Sequence, residues 1–117
     1  MPTPATGQIG IVPWSAAVIR YNQKMLYERF KCYALCTEWI VSGHECAHVS
    51  GILKEEQADC EGAHLLMKAG RWTQEMENEV LTAMRATFPK TLVHPAGPLR
   101  AKLLEECIER LKRAGTR

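Results

Sequence analysis

No apolar run in the sequence approaches the roughly 20 residues a helix needs to cross a bilayer, so no membrane span is expected. The first seven residues, Met1-Pro2-Thr3-Pro4-Ala5-Thr6-Gly7, have neither the basic start nor the apolar centre of a signal peptide and read as a loose lead-in. Neither sign of charge dominates: 15 Lys and Arg face 13 Asp and Glu, for a net charge of +2. That balance argues against a nucleic-acid partner or an anionic membrane surface. The five cysteines, Cys32, Cys36, Cys46, Cys60 and Cys107, are odd in number and contain no C-x-x-C pair. Cys32 and Cys36 fall four apart on an expected helix, a poor arrangement for a disulfide, so reduced and mostly buried thiols in a reducing compartment are expected; with neither a signal peptide nor a membrane span in view, the expected location is cytoplasmic. There is no internal repeat and no low-complexity segment.

What is present suits one globular domain. A chain of 117 residues with 46% hydrophobic and 24% charged residues can bury a real core. Ile9–Val12 and Ala16–Tyr21 are β-branched runs that read as strands of a small N-terminal sheet, and Asn22 can cap the first helix. From Gln23 to Ser50 the apolar spacing is helical, with a break expected near residues 29–31 and Gly51 as the stop. Lys54–Ala69 reads as a further helix ended by Gly70. Thr73 caps another, whose stripe is Met76, Val80, Leu81 and Met84. Gly97-Pro98 opens the last, with Leu99, Leu103, Cys107 and Leu111 expected on its inner face.

The strongest chemical signal is His44-Glu45-Cys46-Ala47-His48, which reads H-E-x-x-H. On a helix, residues four apart share a face, so His44 and His48 can present two imidazoles to one metal ion, with Glu45 beside them as general base. Background residue frequencies produce this pattern by chance in roughly one chain of this length in several hundred. Its flanks add weight, because apart from Glu45 no charge interrupts Trp39 to Gly51. A catalytic zinc needs a third protein ligand. The four histidines are His44, His48, His64 and His94, and the carboxylates after Gly51 (Glu55, Glu56 and Asp59) are better placed than the last two. Glu55 and Asp59 lie four apart, so a ligand at Glu55 puts Asp59 one turn on, where it can accept a hydrogen bond from a ligand imidazole. An acidic first turn serving the helix dipole alone is the plain alternative.

Glu55-Glu56-Gln57-Ala58-Asp59 resembles the E-x-x-A-D segment of gluzincin metallopeptidases, in particular the group of CAAX prenyl proteases and bacterial heat-shock metalloproteases. His94-Pro95-Ala96-Gly97-Pro98-Leu99-Arg100 is similar to the H-P-x-x-x-x-R segment of that group, and Ile19-Arg20-Tyr21-Asn22 to the strand before its catalytic helices. The resemblance covers roughly residues 17–108 in the same order. It implies zinc held by His44, His48 and Glu55, with Glu45 as base. It also implies Asp59 in support of a ligand, His94 near the reacting oxygen and Arg100 in structural contacts around the site. The chain departs from the group in its link: Glu55 follows His48 by only seven residues, which forces a tight turn and leaves Glu55 or Glu56 as the ligand.

The expected architecture is therefore an α+β, predominantly helical, zincin-like domain over 1–117, with a small N-terminal sheet and about four helices. The expected activity is zinc-dependent hydrolysis of a peptide or protein substrate, held by strand addition to a sheet edge. The rival reading is a zincin-like scaffold that binds zinc or a partner without catalysis.

Overall fold

A computed structural model describes residues 10–11, 19–20, 23–90 and 95–115. Helix α1 (Gln23–Glu28) is one and a half turns long and buries Leu26. The chain then breaks where expected. Lys31 adopts a left-handed φ of 52°, and the Cys32 amide reaches back to Leu26 O at 2.9 Å. The motif helix comes next, in three joined parts: α2 (Ala34–Glu38), a π-helical stretch (Trp39–His44) and α3 (Glu45–Val49). Within it the Glu45 amide donates to Ile40 O, five residues back instead of four. Such widened turns are rare and concentrate at functional sites.

Gly51, at φ 111°, closes the motif helix, a conformation that favours glycine. The turn is tight: Lys54 is already extended and α4 (Glu55–Lys68) begins at the next residue. Gly70 at φ 72° stops α4, and the Arg71 amide caps its end on Leu66 O. Thr73 then accepts a hydrogen bond from the Met76 amide at 3.1 Å and starts α5 (Gln74–Thr87). Its stripe of Met76, Val80, Leu81 and Met84 is buried, as its spacing requires. The last helix, α6 (Gly97–Arg113), opens with Pro98 in its first turn.

The helices share one apolar core, in which Leu26, Trp39, Leu66, Met84, Leu104 and Ile108 are buried together. The expected α+β class is thereby corrected. Among the described residues the only extended pairing is antiparallel and two residues per strand, Gly10–Ile11 with Ile19–Arg20, which does not amount to a sheet. A pair of strands this short cannot bury a face, so the core is assembled from helices. Substrate docking by strand addition loses its edge with the sheet.

Two further expectations fail. The thiols are not all reduced: Cys32 pairs with Cys36 and Cys60 with Cys107, leaving Cys46 free. Cys32 lies outside the helix, beyond the break at Lys31, so its Cα comes within 5.0 Å of Cys36, inside the usual range for a disulfide. Disulfides persist in oxidising surroundings, so the cysteines no longer argue for a reducing compartment. On α6 the inner face is Arg100, Ala101, Leu104, Cys107 and Ile108, whereas Leu99 and Leu103 are exposed. Among the described residues no helix is long and apolar enough to cross a membrane.

Candidate metal centre

The site is built where the π-helical stretch crosses α4. The contact is backbone on backbone at two glycines. A Cβ on Gly62 would stand 2.6 Å from the His44 amide nitrogen, and one on Gly43 would stand 2.8 Å from Gly62 O. Only hydrogen fits in either place, so the helices approach closely enough for α4 to reach the imidazoles with short side chains.

Three potential ligand atoms converge there. His44 Nε2 and His48 Nε2 are 3.2 Å apart, and Glu55 Oε1 lies 3.1 Å from the first and 3.2 Å from the second. Donors that ligate a tetrahedral zinc at its usual bond lengths stand about 3.3 Å from one another. The triangle therefore has the size of one face of such a site. Glu56 is turned the other way, into a separate groove beside Ile52, Gln57 and Cys60.

The remaining ring nitrogens are committed. His48 Nδ1 is 2.7 Å from Ile52 O, a carbonyl that can only accept, so His48 carries a proton on Nδ1. His44 Nδ1 is 2.7 Å from Asp59 Oδ1. Arg100 clamps the same carboxylate, with Nε on Oδ2 at 2.6 Å and Nη2 on Oδ1 at 2.8 Å. Burial pushes the Asp59 pKa up, but the Arg100 and His44 hydrogen bonds and charges outweigh it and hold Asp59 below the usual carboxylate range. Asp59 is thus an anion that accepts from His44 Nδ1–H. In the neutral tautomers both Nε2 atoms then offer lone pairs to each other and to Glu55. Three converging electron-rich atoms repel unless a cation or a proton lies among them, which is the arrangement a metal ion requires. The residues fit zinc on this ground.

Electrostatics supports the same picture. Burial lowers the His48 pKa, yet the Ile52 carbonyl, the Glu55 hydrogen bond and the charges of Glu55 and Glu45 together leave it raised. Glu45 lies 3.9 Å from His44 Nε2, outside the triangle. Its pKa is raised, chiefly by burial; His44 and His48 pull it down and the Glu55 charge pushes it up. A cavity of about 430 Å³ is bordered by His44, Glu45, His48, Glu55 and Arg100.

The structure thus gathers His44, Glu45, His48, Glu55, Asp59 and Arg100 in one place. His94 and the capping residue Asn22 lie outside the described residues. His64 pairs with Glu61 on α4 and takes no part. Cys46 turns its thiol toward Val41 O at 3.6 Å, away from the cluster. Sequence reasoning missed four contributors: the Gly43 and Gly62 crossing, the π-helical stretch, the Ile52 carbonyl and Phe88. The Phe88 ring lies 5.1 Å from the Arg100 guanidinium carbon. The short link after Gly51 was the available signal for Ile52, since it leaves a turn carbonyl close to His48.

In class, this is a two-histidine, one-carboxylate cluster with a further carboxylate beside it and a cavity in front. Comparisons of the chain with protein-family models, with curated proteins and with solved structures gave no match.

Proposed function

We propose that the protein is a zinc-dependent hydrolase of peptide bonds, acting on a peptide or protein substrate. One observation carries the reading: His44 Nε2, His48 Nε2 and Glu55 Oε1 lie within 3.2 Å of one another while Asp59 and Ile52 O occupy the other ring nitrogens. The likeness of H-E-x-x-H and E-x-x-A-D to gluzincins adds support. His44, His48 and Glu55 would hold the ion. When bound, zinc supplies a Lewis acid that polarises a carbonyl and makes water more acidic.

The chain's own residues do the rest. Asp59 and Arg100 fix the His44 ring, and Ile52 O fixes His48, so neither ligand must be oriented when the metal arrives. Glu45 stands next to the ligands without joining them. It takes a proton from the attacking water at its carboxylate and returns it to the leaving amine. Its pKa is raised, chiefly by burial, which makes the carboxylate a stronger base. The two disulfides favour work in oxidising surroundings over the cytoplasm.

Glu45 also favours catalysis over a scaffold, since a structural site needs ligands but no base. The test is Glu45→Gln. The variant should fold, hold about one zinc per chain and lose peptidase activity by about 100-fold or more. Equal cleavage by both proteins would trace the activity to a contaminant. Zinc held by both with no cleavage by either would leave the scaffold reading. Protein that binds no zinc would sink both.

A further inference from the structure

We propose that the groove between α4 and α6, on the side that Glu56 faces, is a docking surface for an amphipathic helix of another protein, one whose apolar stripe is flanked by Lys and Arg. The proposal goes beyond the hydrolase reading and does not depend on it, since neither the metal ligands nor Glu45 line this groove. The groove has a volume of about 370 Å³. Its apolar part is made by Ile52, Leu103 and the Cys60–Cys107 disulfide. Its charged part is made by Glu56 and Glu61 from α4 and by Glu106 and Arg110 from α6.

The apolar surface continues past the groove. Leu103 is 38% exposed, and Leu99, one turn before it on the same face of α6, is 51% exposed. Leu53, next to Ile52 in the turn before α4, is 86% exposed. A single exposed leucine needs no explanation, but three beside one groove mark a surface that gains by being covered.

Charge selects the partner. Three carboxylates against one guanidinium leave the groove net negative, in a chain whose net charge is +2. Glu61 is shared with His64 at 3.2 Å, whereas Glu56 and Glu106 have no ion pair among the described residues. Carboxylates without a cation beside an apolar floor suit an incoming Lys or Arg, whose stem covers apolar surface while its charged head stays at the rim. The same carboxylates repel nucleic acid and an anionic membrane surface. A second copy of this chain is a poorer match, because it would bring two net-negative grooves together. Shape points to a helix: α4 and α6 leave a trough between two rods, and an amphipathic helix lays its apolar face into such a trough. Leu103, Glu106 and Arg110 recur on α6 at three- and four-residue intervals, so the trough offers apolar surface and charge on successive turns.

The test uses the full chain and three labelled helical peptides of about 14 residues, read by fluorescence anisotropy. One carries a leucine stripe with lysines, the second the same stripe with glutamates, and the third the lysines with serines in place of the leucines. The leucine–lysine peptide should bind at least about 10-fold tighter than either control, and its lead over the glutamate peptide should narrow as salt rises from about 50 to about 500 mM. Glu56→Lys/Glu106→Lys should reverse the order of the two leucine peptides. Leu103→Asp should weaken the leucine–lysine peptide at least about 10-fold. All three side chains are exposed, so both variants should fold, which near-ultraviolet circular dichroism checks. Equal binding of the three peptides, or binding of none, overturns the proposal. An order unchanged by the charge reversal also overturns it, because the peptide would then sit elsewhere on the chain. Sedimentation velocity showing a dimer that Leu103→Asp abolishes would give the surface to a second copy. Binding to phosphatidylcholine vesicles that the same change abolishes would give it to lipid, and either result sinks the proposal. The expected peptide order in a chain that holds no zinc would keep the docking surface and remove only the hydrolase reading.

Discussion

At the scale of single residues, two carboxylates one position apart have different surroundings. Glu55 Oε1 touches both imidazoles, whereas Glu56 faces another groove. Glu55→Gln should lower zinc affinity at least about tenfold, and Glu56→Gln should leave it within about twofold, read by competition with a chelating dye. The reverse order would move the ligand by one residue and leave Asp59 with no ligand to support. Protonation of His48 sets a second expectation. Its folded pKa is raised above the ordinary 6.5. In metal-free protein this group therefore adds stability that is full below about pH 6.5 and is lost as pH rises through the folded value. Zinc requires the opposite, since the Nε2 proton must leave before the nitrogen can ligate. The melting temperature of metal-free protein should fall across that window, and the increase produced by zinc should grow across it. Parallel scans at pH 5.5, 7 and 8.5 measure both, and an increase that shrinks with pH would contradict the assignment of His48. At lower pH, Asp59 governs. Its folded pKa is depressed, so its contribution is present above about pH 4 and disappears as pH falls through the folded value.

At the scale of elements, the site depends on how closely two helices pass. Gly62 to Ala adds one methyl in the middle of α4, where an exposed exchange of this kind would stabilise a helix by about 0.5–1 kcal/mol. Here the methyl meets the His44 amide nitrogen at 2.6 Å and Gly43 C at 2.7 Å, both backbone atoms that no rotamer change can clear. Gly62→Ala should therefore destabilise by about 1–3 kcal/mol in chemical unfolding and weaken zinc binding as well, because α4 carries Glu55 and Asp59. A neutral or stabilised variant would mean that the crossing is looser than its geometry. Much of this level was legible. The four-residue interval of His44 and His48 and the same interval of Glu55 and Asp59 derive from helical periodicity, and the stop at Gly51 from glycine's tolerance of a positive φ; both signals are local. The crossing itself was not, because a glycine in a helix marks a close approach only once its partner is known. The strands were overcalled for a related reason: β-branched runs show propensity, and pairing depends on partners that local sequence does not name. The stripe of α6 was misassigned because Leu99 and Leu103 outweigh an arginine in any hydrophobic pattern. In the fold, Arg100 turns inward to Asp59 and the helix rotates with it.

At the scale of the whole molecule, α4 and α6 are tied together twice. One tie is the buried Asp59–Arg100 pair, and the other is the Cys60–Cys107 disulfide. The two are in register: Cys60 follows Asp59 directly, and Cys107 lies two helical turns beyond Arg100, on the same side of α6. Gly97 makes the helix start possible, since a Cβ there would stand 2.0 Å from Met84 O at the end of α5. The disulfide was illegible in the sequence because pairing cannot be deduced from spacing when partners stand 47 residues apart. Its effect is mainly on the unfolded chain. Closing a loop of that length removes chain entropy worth about 4 kcal/mol. For a domain of this size the loss of that term lowers the melting temperature by about 15 °C. The native site is a different matter, since Arg100 still holds Asp59 once the sulfurs are separated. The double variant Cys60→Ala/Cys107→Ala should therefore melt about 15 °C below wild type, while zinc affinity at 10 °C, well inside the folded range, stays within about threefold. Calorimetry and a chelator competition on the same preparation measure both quantities. A melting temperature within about 3 °C of wild type would show that the cross-link does not constrain the chain. A collapse of zinc affinity at 10 °C would show that the disulfide, and not the ion pair, aligns α4 with α6 at the site.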